Sequence, residues 1–179
     1  MIYALLAPSG AGKGTLAKYF YDFIPRAVSH TTRDKREGEV HGKDFYFIEE
    51  DDVKEYNWED IVISDCGHRG VTYFTKLDEF KQATNVYVEV SVKALHQLKE
   101  YFGKDNVVSI YIYAHPNECY ERLKKRNGEE YAKSRMYYNY KENSFNNHSE
   151  ADYVINNTDD SNLTINGEIL QTIVEHTKD

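Results

Sequence analysis

The sequence holds only two cysteines, Cys66 and Cys119, which make neither a disulfide framework nor a metal-binding pattern. That usage suits a reducing compartment. Repeats, Pro-rich linkers and low-complexity tracts are absent, so nothing marks out loosely tethered parts. The opening apolar run, residues 2–7, is far too short to span a bilayer and lacks the basic flank of a signal peptide. The protein is therefore expected to stay where it is made, in the cytoplasm and off membranes. Basic residues are in deficit, 22 against 30 acidic, for a net charge of −8. A surface of that sign argues against a nucleic-acid partner, because polyanion binders need a basic face. A small phosphorylated ligand is still allowed, since a few arginines in one cleft outweigh a negative average. The seven histidines show no ligand spacing, so no protein-held metal is expected and metal-dependent hydrolysis has no support. Three Asn-x-Ser/Thr triplets, at Asn147, Asn156 and Asn162, are read as chance without a secretory signal.

What is present is an ordinary globular composition with 40% apolar residues in a chain of 179. That is enough for one domain with a real core, or for a core carrying short inserted subdomains. Sixteen tyrosines are unusual but scattered. Residues 2–6 read as a strand, followed by Pro8-Ser9-Gly10 and a helical pattern with Leu16, Phe20, Phe23 and Ile24 on one face, which Pro25 ends. A strand, a Gly-rich turn and a helix in this order open many α/β folds. The alternation returns later. Residues 85–90 and 107–113 read as buried strands around a helix striped by Leu95, Leu98 and Phe102. Pro116 suits a first helical turn leading through Arg126, Tyr153 to Ile155 make a last strand, and Ile169, Leu170, Ile173 and Val174 mark a closing helix.

Between residues 30 and 83 the chain turns polar, Gly-punctuated and strand-like. It reads as an insertion into a core formed by residues 1–29, 84–126 and 135–179, with a second polar, non-periodic interruption at 127–134 placed where a mobile lid is useful. The expected fold class is α/β: a three-layer core on a parallel sheet, an inserted mixed α/β subdomain and a short lid.

Ala7-Pro8-Ser9-Gly10-Ala11-Gly12-Lys13-Gly14-Thr15 lies between the first strand and the first helix. Gly10 and Gly12 allow a tight turn in which successive N–H groups converge on phosphate oxygens. The helix points its positive end at the same place, and Lys13 adds a mobile full charge. A lysine at a helix start opposes the dipole, and a bound anion removes that conflict. The strict P-loop pattern is missed twice, by Ala7 for its first Gly and by Gly14 for the magnesium-contacting hydroxyl, with Thr15 one place later. Arg33 and Arg36, close together in a short stretch, make two guanidinium forks suited to a dianionic monophosphate, each bond contributing roughly 1.5–3 kcal/mol.

The loop, followed by Ser29-His30-Thr31-Thr32-Arg33 and then Arg36-Glu37-Gly38-Glu39-Val40-His41-Gly42-Lys43-Asp44-Phe45, resembles guanylate kinase. The resemblance spans nearly the whole chain and is weakest from residue 49 to 70. It implies a P-loop nucleoside-monophosphate kinase that moves the γ-phosphoryl group of ATP, carrying Mg²⁺, onto GMP or dGMP. It implies that Pro8 to Thr15 hold ATP, with Arg126 and with Asn157 near the adenine. Ser29, Arg33, Arg36, Tyr73, Thr75, Glu89 and Ser91 fall on acceptor positions. Arg122, Arg126 and Arg135 look like lid arginines, and Lys13, Arg36, Arg126 and Arg135 would share the catalytic load.

Three departures bear on which base is bound. Phe45 replaces a tyrosine whose hydroxyl would bond the monophosphate. The glutamate that meets the guanine edge is replaced by Ser64, with Asp65 beside it as the chosen substitute and Glu59 and Asp60 as others. The paired aspartates of the middle strand appear as Glu89 and Ser91, the latter a candidate helix cap. A kinase of a phosphorylated sugar and an inactive protein-binding module are the rival readings. A monomer or simple homo-oligomer is expected.

Overall fold

The computed structural model describes residues 1–21 and 23–177. Among those residues, eight strands and six α-helices run in chain order: β1 (Ile2–Leu6), α1 (Lys13–Leu16), β2 (His30–Thr31), β3 (Tyr46–Phe47), β4 (Ile61–Cys66), β5 (Thr72–Lys76), α2 (Leu77–Lys81), β6 (Val86–Glu89), α3 (Val92–Phe102), β7 (Val107–Tyr113), α4 (Pro116–Asn127), α5 (Glu129–Lys141), β8 (Tyr153–Asn156) and α6 (Leu163–His176).

The apolar opening run forms the centre of a sheet ordered β6-β1-β7-β8, all parallel, with Ile2 opposite Val86 on one side and Val107 on the other. Every residue of β1 is buried, as a parallel strand covered on both faces requires. The two-residue period then divides the core. Tyr3 and Leu5 join Leu16, Phe20, Ile110 and Leu170 in one layer, while Ile2, Ala4 and Leu6 join Val88, Leu95 and Leu98 in the other. Those two clusters are the interfaces of a three-layer α/β domain. Among the described residues no helix is long and apolar enough to cross a membrane.

Helix α3 starts where Ser91 accepts the Ala94 N–H at 3.2 Å, and it buries Leu95 and Leu98 as its apolar stripe implies. Helix α4 has Pro116 in its first turn and ends at Gly128, whose φ of +84° cannot continue a helix. Residues 30–76 carry a second, mixed sheet ordered β3-β2-β5-β4, in which β2 pairs parallel with β3 and antiparallel with β5. Val62 and Ile63 of β4 pack into the core layer that holds α3, so the second sheet is anchored by apolar contact.

One local expectation fails. The first helix is one α-turn, Lys13–Leu16, passing into a 3₁₀ segment, Ala17–Phe20. Leu16, Phe20 and Ile24 are still buried. The polar stretch 127–134, read as a non-periodic interruption, is helical on both sides of a break. It comprises the end of α4, the break at Gly128 and the first turns of α5. The inward face of α5 is Ala132, Met136 and Asn139, so its helical period carries one sizeable apolar residue and is nearly silent in the sequence.

Candidate active site

A cleft of about 1470 Å³ opens between the Gly-rich loop, the second sheet and the α4–α5 pair. The turn is built as its glycines dictate. Gly10 and Gly12 have φ of +92° and +89°, and a Cβ on Gly10 would stand 2.5 Å from the Cys119 carbonyl oxygen. The loop is braced from behind. Asn157, buried, donates to the Ala11 carbonyl at 2.8 Å and accepts from Asn166 at 3.1 Å. Asn139, also buried, accepts from the Ser9 N–H and donates to the Ser9 carbonyl, both at 3.0 Å. Arg135 reaches the Ser9 hydroxyl from the same helix. Helix α5 therefore rests directly on the loop.

Of the loop residues expected to hold a phosphate, Pro8, Ser9, Gly10, Gly12, Lys13, Gly14 and Thr15 line the cleft. Ala11 does not. It is fully buried, and its N–H bonds the Pro8 carbonyl at 3.2 Å, which closes the turn. With only one α-turn behind the loop, backbone N–H groups and Lys13 would offer an anion more than a helix dipole does.

Opposite the loop, Glu39 organises the arginine segment. Arg33 donates to both of its oxygens, at 2.8 and 3.0 Å, and the Arg36 N–H adds a third bond at 2.8 Å. Burial raises the Glu39 carboxyl, but these bonds outweigh it and hold the group below the usual carboxylate range. Arg33 is 13% exposed and Arg36 37%, and both line the cleft that Lys13 faces. Phe45 lies beneath Arg33, 5.3 Å from its guanidinium, and meets Tyr73 edge-on at 6.0 Å. Ser29 and Thr75, both buried, share a hydroxyl hydrogen bond of 2.7 Å. Asp65 stands opposite Tyr73 in the β4–β5 ladder and lines the cleft, as does Ser91.

On the α4–α5 side, Arg126 bonds Asn127 at 2.9 Å and lies 6.0 Å over the Tyr131 ring. Burial lowers the pKa of Arg126 and Arg135, and for both the nearby Arg36 acts in the same direction. Burial likewise pulls Lys13 down, Glu89 at 3.9 Å opposes it, and Arg26 and Arg135 reinforce it. These cations repel one another in a partly dehydrated space, and an anion of high charge relieves the conflict. Arg122 is differently placed. It donates to the Asn157 and Thr158 carbonyls and to Asp160, and pairs with Glu118 at 3.2 Å, so it staples α4 to the segment after β8.

Sequence reasoning missed Arg26, Tyr131, Asn139 and His68. Tyr131 stands within electrostatic reach of Arg135, Arg36 and Arg126, which together outweigh burial and lower its phenol pKa. His68, on the β4–β5 turn, shares a 2.9 Å hydrogen bond with Ser134 of α5 and so links the second sheet to α5. Arg26 had a legible signal, a cation set among the buried Ile24, Ala27 and Val28. Asn139 had none, because α5 shows no apolar stripe to mark its inner face.

Comparison with known proteins agrees with this geometry. A family profile described as guanylate kinase matches residues 1–177. The guanylate kinase of Wigglesworthia glossinidia brevipalpis is 29% identical over 173 residues, covering 90% of this chain and 82% of that one. That of Geobacter metallireducens is 33% identical over 133 residues, 70% of this chain and 63% of its own length. Among solved structures, the guanylate kinase from Anaplasma phagocytophilum aligns with a TM-score of 0.74 at 23% identity, covering 99% of this chain and 86% of that chain.

Proposed function

The chain belongs to the guanylate kinase family, and on that premise we propose that it transfers the γ-phosphoryl group of ATP to GMP or dGMP, releasing ADP and the diphosphate. One observation carries the reading at this site. Lys13, Arg33, Arg36, Arg126 and Arg135 converge on one cleft of a chain whose net charge is −8. A surface that is negative on average gathers cations this tightly where phosphates are bound.

The residues divide the work. Residues 8–15 would cradle the ATP phosphates with backbone N–H groups, and Lys13 would neutralise the β and γ positions. Arg33 and Arg36 would orient the acceptor phosphate, and residues 30–83 would act as the monophosphate-binding unit. Arg126 and Arg135, on the α4–α5 pair around residues 127–134, would stabilise charge on the phosphoryl group in flight. A phosphate oxygen is already an adequate nucleophile, so no general base is needed and rate comes from positioning and charge neutralisation. Thr15 and Glu89 both line the cleft, with Glu89 3.9 Å from the Lys13 ammonium. Their oxygens suit a magnesium ion that arrives with its own phosphate and water ligands, and such an ion supplies further charge neutralisation. A closed α5 also excludes water that would hydrolyse ATP.

For the base, Asp65 would accept the guanine N1–H and N2–H₂ donors, with the Ser29–Thr75 hydroxyl pair and Tyr73 completing the pocket. We place the enzyme in the cytoplasm as a monomer or simple homo-oligomer. The test is ADP release measured with GMP, dGMP, AMP, UMP, dTMP and ribose 1,5-bisphosphate in turn. Turnover should be greatest with GMP or dGMP. Preference for the sugar bisphosphate would overturn the assignment of the acceptor.

A further inference from the structure

Arg26 has surroundings that ordinary packing does not explain. Its side chain is 8% exposed, and its buried Nε has no hydrogen-bond partner among the described residues. Its charged contact is Nη2 to Glu89 Oε1 at 3.1 Å, and Glu89 also reaches Lys13 at 3.9 Å. The guanidinium lies 4.9 Å over the Phe45 ring, the same ring that Arg33 covers at 5.3 Å. Arg26 thus joins the two cationic groups of the cleft, touching the lysine loop through Glu89 and the arginine segment through Phe45. Its backbone is fixed, paired as an isolated bridge with Tyr87, while Gln82 donates to its carbonyl at 2.8 Å.

A buried guanidinium with an unfilled donor is costly, and an apolar side chain would serve this position better if only packing mattered. Glu89 engages one end of the Nε–Nη2 edge and leaves the Nε–H unfilled. That edge is one arginine uses for two-pronged contact with phosphate, and a dianionic phosphate brings the oxygens to fill it.

We propose that Arg26 is a further ligand of the acceptor phosphate, a third guanidinium beside Arg33 and Arg36, with Glu89 as the resident counter-ion that holds it in place. The inference rests on the reading of this cleft as the site of a nucleoside monophosphate and adds to it a residue outside the family motifs. It also accounts for Phe45. An apolar ring there gives two guanidinium groups a flat support, which a cation–π contact favours.

The experiment compares wild type, Arg26→Met and Arg26→Lys by steady-state kinetics, thermal unfolding, and calorimetric binding of GMP and of guanosine. Arg26→Met should raise the KM for GMP by roughly 10–100-fold, the loss expected for one charge-assisted phosphate contact. The KM for ATP should stay within about twofold, and guanosine, which lacks the phosphate, should bind the variant and wild type alike. Arg26→Lys should recover part of the GMP affinity, because it restores a charge without the fork. Should Arg26→Met fail to fold, the lysine variant carries the test, with a several-fold rise in the GMP KM alone. An unchanged GMP KM, or guanosine affinity falling in step with that of GMP, overturns the inference and leaves Arg26 as a structural partner of Glu89. Wild-type enzyme that does not phosphorylate GMP overturns the acceptor reading itself, and the inference with it.

Discussion

Lys13 is held where its charge is poorly tolerated without a ligand, since burial lowers its pKa and Arg26 and Arg135 add to the effect against Glu89. Removing the ammonium therefore relieves the empty site while disabling the loaded one. Lys13→Met should lose transfer by roughly 10³-fold or more while its melting temperature stays level or rises. Full activity in that variant, measured as ADP release, would remove the proposed role of the loop. Arg36 is more exposed and lies on the part of the cleft proposed for the acceptor. Arg36→Ala should raise the KM for the monophosphate about tenfold or more and leave that for ATP nearly unchanged, whereas equal effects on both would place Arg36 elsewhere. Lys13, Arg33 and Arg36 were readable from spacing alone, because each lies in a short segment whose glycines or paired cations have a local physical reading. Arg26 left only a weaker local signal, a cation among core residues, and its role was hidden because its partners Glu89 and Phe45 lie far from it in sequence.

At the scale of elements, α5 is the part the sequence hid. It buries Ala132, Met136 and Asn139, and its remaining surface includes the exposed Tyr137 and Tyr140, so hydrophobic periodicity could not reveal it. What seats it is polar: the reciprocal Asn139–Ser9 bonds, the Arg135 contact with the Ser9 hydroxyl and the His68–Ser134 link. Asn139→Ala strands the N–H and C=O of Ser9 in a partly buried place, which costs on the order of 1–3 kcal/mol. The variant should melt several degrees lower and lose kcat as Arg135 shifts with its helix. Unchanged values for both would show that α5 is seated by other contacts. The short α1 teaches a related lesson. The pattern Leu16, Phe20, Ile24 fits an α-helix, yet 3₁₀ geometry from Ala17 to Phe20 buries the same three side chains.

The stability of the whole molecule is linked to His30. The ring is stacked at 4.7 Å on Phe74, lies near Tyr46 and Tyr56, and has a buried Nδ1 without a hydrogen-bond partner among the described residues. Burial, with Lys76 and His41 acting the same way, lowers its pKa to about 4 from 6.5. The unfolded chain therefore binds a proton first as pH falls, so the stability present above pH 6.5 is progressively lost toward pH 4. By pH 5 this linkage amounts to roughly 2 kcal/mol. Wild type should lose several degrees more than His30→Phe between pH 7 and pH 5 in thermal scans. Parallel losses would show that His30 does not titrate across unfolding.

By itself the sequence determined the strand–helix alternation on either side of the insertion, the parallel core and the positions of the two proposed anion-binding segments. Each of these follows from a repeat of two or about 3.6 residues, or from a turn chemistry contained within some ten residues. Tertiary structure alone decided the rest. It turned Arg122 into a staple, tied Arg33 to Glu39, placed Arg26 between Glu89 and Phe45 and laid α5 on the loop through polar contacts led by the buried Asn139 amide. The physical reason is range. Backbone preference acts between near neighbours in the chain, whereas pairing of charges and buried polar groups is settled by whichever distant residues the packed layers bring within about 3 Å.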